Sequence, residues 1–300
     1  MSKKSQSSII ESLALCRFSG VTSRLMEALL NRYGNIERIL NADAGSLMSI
    51  SGMSVASANK ISSAKHKLDR ALEYFNSLKV LNIDVITRFD PNYPQRLFEL
   101  NDPPSLLYSR GKAIDNDRKV VAISGADRVT NEGIELTVNL AKALSQAGVQ
   151  IVSSLNKGID AASYVGSKAS GGSSFLVLNN GHEEIVTPED KAIAIDIIKN
   201  GGLISEYPFD QKSKKDSYKE SNRIIVGLAQ AVIVTEFYEH SVITMDLLKC
   251  CAQIGKLVFI MIDPRHGALA DKESINKAIS YGAIPMVGLD KIPDIIQSLV

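Results

Sequence analysis

The sequence predicts an α/β protein built on a doubly wound, mostly parallel sheet, and three observations within residues 119–180 lead to this prediction. Short apolar runs rich in β-branched residues, at 120–123, 149–152 and 174–178, are typical of strands buried on both faces. Segments of about ten to fifteen residues with helical spacing separate these runs, and glycines follow the helices. Because only a helical crossover returns the chain to the same edge, such strands lie parallel and helices cover both faces of their sheet.

The same alternation continues through the rest of the chain. Further strands are predicted at 203–204, 231–235 and 257–262, and further helices at 191–199, 243–254 and 272–280. A short strand and a helix close the sequence. We therefore expect one Rossmann-like domain over residues 83–300, with its ligand site at the carboxyl ends of the strands.

The N-terminal part of the chain has a different pattern. From Ile9 to about Leu78 every strongly periodic segment is helical, so residues 1–82 are predicted to form a small all-α domain. Glycine turns at Gly20 and Gly52 each precede a helix, as in SAM-like and helix-hairpin-helix modules, where free N–H groups can hold a DNA phosphate. Glycine is also common in ordinary turns before helices, so a role in packing or in protein contact is at least as good an interpretation of these two turns.

Residues 88–112 join the two parts and contain four prolines. The prolines exclude a continuous helix and favour extended chain. Apolar side chains in and before this segment need burial, so we expect it to be ordered, with short strands near 85–86 and 106–108.

The composition limits the functional classes. A net charge of +1 does not mark the whole chain as a nucleic-acid binder, so any anion site must be a local cluster. Three cysteines provide no disulfide framework, which fits a reducing compartment. The sequence has neither an apolar leader nor a run of eighteen apolar residues, so we expect a soluble cytoplasmic protein without membrane contact.

Two loops at predicted strand ends have features of anion sites. The first contains Gly125, Arg128 and Thr130 just before a helix, and the second places Lys157 and Gly158 immediately before the next helix. Free N–H groups at helix starts attract anions, so we expect a phosphate site there. The alternative interpretations are a capped strand-to-helix turn for the first loop and an ordinary surface lysine for the second.

Basic residues also gather later in the chain. Lys212, Lys214 and Lys215 lie in a serine-rich loop, and Asn222 and Arg223 follow before an apolar helix. Arginine is also the preferred partner of a buried carboxylate, so a structural pair with Glu206 is an equally weighted interpretation of Arg223.

Four motifs, in one order, carry a resemblance to a known family. They are DPPSLLYSRG at 102–111, SSLNKGIDAAS at 153–163, SEYP at 205–208 followed by SNRIIVGL at 221–228, and NKAISYGA at 276–283. Across about residues 10 to 285 the sequence resembles the DprA/Smf DNA-processing family.

This resemblance implies sequence-independent binding of single-stranded DNA and the loading of a RecA-type recombinase onto it in natural transformation. It also implies a homodimer and no chemical step, so we expect neither an enzyme nor a cofactor or metal. Together with the two loops it predicts a groove whose phosphate-binding residues are Gly125, Arg128, Thr130, Lys157, Gly158, Asn222, Arg223 and Lys277.

The sequence departs from the family pattern at two turns. Gly125, Ala126 and Asp127 stand in the first loop where the family has Gly-Ser-Arg, so that Arg128 is displaced by one position. In residues 236–244, two flexible positions of the family's glycine- and serine-rich second turn carry bulky or charged residues. A glycine lost from an anion-binding turn prevents a phosphate from approaching the backbone closely, so the phosphate affinity of these turns is an open question. Phe237 and Tyr238 in the second turn offer base stacking instead, beside the commoner role of partly buried packing.

Catalytic alternatives have little support in the sequence. GxGxxG, Walker A and HExxH motifs are absent, and no histidine follows a nucleophile elbow, so an NAD or ATP enzyme is not expected. The alternative function is a nucleotide-binding or nucleotide-hydrolysing protein similar to the LOG phosphoribohydrolases. Glu236 and Glu239 lie near the place of that family's glutamate, although its glycine turn is missing.

Overall fold

The computed structural model describes residues 3–265 and 267–299. Backbone contacts divide the chain into two compact units. Unit 1 comprises residues 1–93, 101–110 and 206–209, and unit 2 comprises residues 94–100, 111–205 and 210–300. The domain boundary expected between residues 82 and 83 stays a prediction.

Unit 1 is mainly helical, as the periodicity predicts. Its helices are α1 (Lys3–Ser19), α2 (Ser23–Tyr33), α3 (Ile36–Leu40), α4 (Ala44–Leu47), α5 (Val55–Ser62) and α6 (Leu68–Val80), with a 3-10 turn at Ala64–Lys67. Short polar side chains begin several of these helices. The side chains of Thr22, Asn35 and Ser54, for example, accept N–H groups of the first turns of α2, α3 and α5.

Two strands complete unit 1. Strand β1 (Asp84–Thr87) pairs in antiparallel orientation with β2 (Leu106–Gly111), so strands lie where the sequence places them. The proline-rich segment between them contains a 3-10 helix at Gln95–Glu99. Leu97 of this segment is buried, as are Leu106, Leu107 and Tyr108 of β2, whereas Phe89 and Phe98 are exposed.

The sheet of unit 2 confirms the doubly wound, mostly parallel prediction. Its strands are β3 (Val120–Ser124), β4 (Gln150–Ser154), β5 (Ser174–Val177), β6 (Gly202–Ser205), β7 (Ala231–Val234), β8 (Leu257–Asp263), β9 (Gly267–Ala268) and β10 (Ile284–Val287). The order is β6-β5-β4-β3-β7-β8-β10, with all these neighbours parallel, and β9 is antiparallel to β8. The chain leaves β3 toward β4 and later returns beside β3 as β7, so loops after β3 and β7 meet at the topological switch point.

In the described part of unit 2, six helices connect these strands and a seventh follows β10. They are α7 (Asn131–Gln146), α8 (Ile159–Ala169), α9 (Pro188–Ile197), α10 (Ser217–Leu228), α11 (Val242–Ile254), α12 (Lys272–Ser280) and α13 (Ile292–Ser298). Helix α9 begins earlier than predicted, because Thr187 accepts the N–H of Asp190 and Pro188 occupies the first turn. Among the described residues, no helix combines the length and apolar character needed to cross a membrane.

Candidate nucleic-acid interface

The loop after β3 is joined by hydrogen bonds to both of its neighbours. The Ala126 N–H donates to the carbonyl oxygen of Glu236 after β7 at 2.8 Å, and the Ala126 carbonyl accepts the N–H of Ile159 at the start of α8 at 3.1 Å. A Cβ at Gly125 would lie 2.5 Å from Ile159 Cγ1 and 2.6 Å from the Glu236 carbonyl oxygen. Glycine is therefore required at position 125 for packing, whatever ligand binds nearby.

The N-terminus of α7 already holds an anion, the carboxylate of the fully buried Glu236. The Thr130 N–H donates to Glu236 Oε2 at 3.0 Å, and the Thr130 hydroxyl donates to the same oxygen at 2.9 Å. A Cβ at Gly133 would overlap that oxygen. The prediction that Thr130 binds a ligand phosphate is wrong for this structure, because the chain's own carboxylate uses both of its donors.

The start of α8 differs from that of α7. No side chain caps it, and Gly158 precedes it with φ +69°, a conformation that favours glycine. Lys157 and Arg128 are exposed on the two joined loops, and neither makes an ion pair within the described residues. An uncapped helix start with free cations on the two joined loops is suited to an anion.

A buried carboxyl group lies beside this helix start. Asp160 is 5% exposed, and burial raises its pKa to about 7, although hydrogen bonds from Ser154 and Asn156 act in the opposite direction. The Ser154 hydroxyl at the end of β4 donates to Asp160 Oδ2, and Oδ1 has no hydrogen-bond partner among the described residues. A polar cavity of about 70 Å³, lined in part by Ser154, Asn156, Asn179 and Asn180, opens next to this loop.

Asn222 has a structural role that its place in the sequence motif does not reveal. Its Nδ2 donates to the Ile243 carbonyl and to Asp246 Oδ2, each at 2.9 Å, and the residue is 2% exposed. The side chain thus ties α10 to α11. The prediction that Asn222 contacts phosphate is wrong for this structure, because both amide protons are used inside the protein.

Arg223 lies on the same helix as Asn222. Its side chain is 14% exposed, and its Nε lies 3.3 Å from Glu220 Oε2. The structural pair with Glu206 and the phosphate contact both stay predictions. Lys212, Lys214 and Lys215 are exposed in the loop before α10.

The two aromatic residues predicted to stack on bases have separate environments. Phe237 is fully buried, so the stacking prediction is wrong for its ring, which has no exposed face. Tyr238 is half-buried, and its ring stacks on His240 with centroids 5.5 Å apart and an interplanar angle of 10°. Its hydroxyl donates to Glu236 Oε1 at 2.5 Å, and this hydrogen bond is the main reason why its pKa is raised to about 12.

Lys277 lies away from the other predicted residues. It is exposed in the last turn of α12, the helix that leads into β10. A crossover helix runs antiparallel to the strands that it joins, so its last turn lies toward their amino ends. The prediction that Lys277 belongs to a groove at the carboxyl ends is therefore wrong.

Sequence reasoning did not find the hydrogen-bond network at the centre of this site. Glu236 accepts from Thr130 and Tyr238, and Thr244 Oγ1 donates to the Gly125 carbonyl at 2.8 Å. The available signal is a carboxylate directly after an apolar strand, opposite a threonine that begins a helix. Within residues 3–265 and 267–299, no group of three or more histidine, cysteine, aspartate or glutamate side chains is arranged to hold a metal ion.

Comparison with known proteins decides the family. The profile of the family described as DNA recombination-mediator protein A matches residues 84–298, which is most of the chain. The chain belongs to this family. Membership agrees with the resemblance carried by the four sequence motifs.

Individual members of the family align over different lengths. The DNA processing protein DprA of Bacillus subtilis is 28% identical over 264 residues, which is 85% of this chain and 86% of that protein. Protein Smf of Synechocystis sp. is 29% identical over 228 residues, which is 75% of this chain and 57% of that protein. The match therefore spans little more than half of the Synechocystis relative.

Two solved structures of DNA processing protein A share this fold. The X-ray structure from Streptococcus pneumoniae has a TM-score of 0.79 at 22% identity and covers 97% of this chain and 98% of that one. The protein from Helicobacter pylori, studied for its single-stranded DNA binding mode, has a TM-score of 0.60 at 22% identity and covers 72% of this chain and 95% of that one.

Proposed function

We propose that this protein binds single-stranded DNA without sequence preference through the carboxyl ends of β3 and β4 and the start of α8. The observation that carries the proposal is the pair of exposed cations, Arg128 and Lys157, on two joined loops beside an uncapped helix start. Phosphate contacts of this kind give affinity that is independent of sequence. The names of the family's members, DNA processing proteins, support the same conclusion.

The Glu236 carboxylate at the start of α7 concentrates the proposed anion site on α8. Glu236 fills the start of α7 and excludes a phosphate from it, whereas no side chain caps the start of α8, although the Asp160 carboxyl lies in its first turn. The lysines at 212, 214 and 215 supply further positive charge in the loop before α10. Tyr238 remains the candidate for stacking on a base.

Partners form the finer part of the proposal. We infer that the DNA-bound protein loads a RecA-type recombinase and that it acts as a homodimer, as the family resemblance implies. Light scattering coupled to size-exclusion chromatography tests the dimer. Displacement of a single-strand-binding protein by the recombinase, measured with and without this protein, tests the loading.

Nucleotide hydrolysis is the alternative function, and the environment of Glu236 disfavours it. A general base must reach its substrate, but Glu236 is fully buried and accepts hydrogen bonds from Thr130 and Tyr238. Glu239 is exposed, without the glycine turn that would bring a phosphate close to it.

The experiment compares Lys157→Ala and Arg128→Ala with the parent protein. Binding of labelled oligo-dT and of its duplex is measured at several salt concentrations. Each substitution should weaken binding of all single strands alike and lower the magnitude of the salt slope by about 0.7, the value for one lost phosphate contact. Lys142→Ala, at an exposed lysine of α7, is the matched control and should leave the slope unchanged.

Two outcomes would contradict the proposal. One is a parent protein that binds mononucleotides at micromolar concentration and shows no preference for single strands. The other is normal single-strand binding by both folded variants, which would exclude the site at α8.

A further inference from the structure

A second cationic surface lies on the helical unit 1. It consists of four residues near the junction of α5 and α6, Lys60, Lys65, Lys67 and Arg70, which we call the helical cationic patch. Asp69 is the one acidic residue between positions 60 and 70. Within the described residues, none of the four patch cations forms an ion pair with a carboxylate.

Lys67 is the member of the patch that is hydrogen-bonded to two helices. Its Nζ donates to the Phe18 carbonyl at 3.0 Å, the Ser19 hydroxyl at 3.1 Å and the Lys60 carbonyl at 3.2 Å. The ammonium therefore joins the C-terminal ends of α1 and α5, where helix dipoles favour a cation. The other three patch residues, Lys60, Lys65 and Arg70, are exposed.

The patch concentrates positive charge instead of dispersing it. The pKa of Lys67 is lowered, first by burial and then by repulsion from Lys60 and Arg70. Lys60 and Arg70 thus lie near enough to Lys67 to disfavour its charged form. Repulsion between the cations of such a surface is relieved when a polyanion binds to it.

Phe18, an aromatic residue next to the patch, already contacts other side chains. The Arg70 guanidinium lies 4.8 Å from the centroid of the Phe18 ring, and the Arg17 guanidinium lies 5.9 Å from it. Tyr74 contacts the same ring edge-on at 5.9 Å. The Phe18 ring is therefore not a free platform on which a base could stack. Sites for single strands combine cations with such stacking platforms, whereas a duplex presents phosphates and keeps its bases paired.

We propose that Lys60, Lys65 and Arg70 form a docking surface for the phosphate backbone of duplex DNA. This surface belongs to unit 1 and does not depend on the single-strand site proposed for unit 2. Its contacts are to phosphates alone, so its binding is insensitive to sequence and strongly dependent on salt.

The test uses the full chain with Lys60→Ala, Lys65→Ala and Arg70→Ala combined, and it keeps Lys67 because that residue anchors two helices. Fluorescence anisotropy measures binding to a blunt duplex of mixed sequence across a salt series. The magnitude of the salt slope should fall by about 2.7, because each lost phosphate contact contributes about 0.9 for duplex DNA. Oligo-dT affinity should stay within about twofold of the parent value.

The control variant removes the same charge from other exposed positions of unit 1. It combines Arg32→Ala, Arg38→Ala and Lys79→Ala and should bind duplex DNA with the parent slope. Because Arg70 also packs on Phe18, a second variant, Lys60→Glu with Lys65→Glu, repeats the test with that contact intact.

The outcomes separate the two proposals. The patch proposal is overturned if both patch variants bind duplex DNA as the parent does, or if the control variant loses as much binding as they do. The first of these results would indicate an acidic protein as the partner of the patch. Duplex binding that depends on the patch, together with no oligo-dT binding by the parent, supports the patch and overturns the single-strand function.

Discussion

The Glu236 carboxylate receives both the N–H and the hydroxyl of Thr130, so the N-terminus of α7 carries a resident anion from a loop 106 residues away. Glu236→Gln removes the charge that stabilises the helix start and leaves one acceptor oxygen for three donors. We expect the free energy of unfolding to fall by about 1–3 kcal/mol. Urea denaturation followed by circular dichroism measures the change.

Glu239→Gln is the matched control for this prediction. Glu239 is exposed in the same loop, and its substitution should change stability by less than about 0.5 kcal/mol. Equal unfolding curves for the Glu236→Gln variant and the parent would mean that the buried contact contributes nothing to stability.

Tyr238 allows hydrogen bonding and base stacking to be separated. Tyr238→Phe loses the donor to Glu236 but keeps the ring, so stability should fall by about 1 kcal/mol while oligo-dT affinity is retained. Tyr238→Ala loses the ring as well, and binding should weaken by about 1–3 kcal/mol if a base stacks there. Equal oligo-dT affinities of the alanine variant and the parent would exclude stacking.

Asp160 should make stability depend on pH. Its pKa is about 7 in the folded protein and 3.8 when unperturbed, so the folded state binds more protons between these values. The free energy of unfolding should therefore fall as pH rises from about 4 to 7 and then level off, with about 1.4 kcal/mol for each unit of pKa difference.

The neutral isostere tests this assignment. Asp160→Asn should lose that part of the pH dependence and gain stability relative to the parent as pH rises. Chemical denaturation of both proteins at pH 5, 6, 7 and 8 measures the difference. Parallel stability profiles for the two proteins would show that Asp160 does not titrate in this range.

Asn222 and Arg223 are neighbours for which we predict opposite readouts. Asn222→Ala removes the tie from α10 to Ile243 and Asp246, so the melting temperature should fall while the salt slope for oligo-dT is unchanged. Arg223→Ala should weaken DNA binding at an unchanged melting temperature if the guanidinium contacts phosphate. A lowered melting temperature with unchanged DNA binding would assign Arg223 to a structural pair instead.

The fold could be predicted because its determinants are local. Parallel strands covered on both faces appear as apolar runs such as 120–123 and 231–235, and the helices between them have their own spacing and end signals. The predicted placement of Lys277 was wrong because it depended on more than local sequence. The motif that contains it specifies a helix, whereas the direction of that helix against the sheet decides which end of the sheet it reaches.

The chemistry of the site depends on pairs that are distant in the sequence. Nothing near Thr130 indicates that its donors are used by Glu236, and nothing near Asn222 indicates that Asp246 accepts from it. Burial of Phe237 beside the half-exposed Tyr238 also depends on how the second turn folds back. The cations at 128 and 157 were easier to find, since exposure is the usual state of charged residues in loops.

The position of β3 within the sheet has a consequence for synthesis on the ribosome. One edge of β3 pairs with β4, in the register Val121 to Ile151, but its other edge pairs Val121 with Ala231, which is made much later. Until β7 emerges, the nascent chain carries an apolar strand with an open edge, the kind of surface that pairs wrongly with other chains. Release of the chain between residues 205 and 231 should therefore yield an aggregating fragment instead of a stable half-sheet.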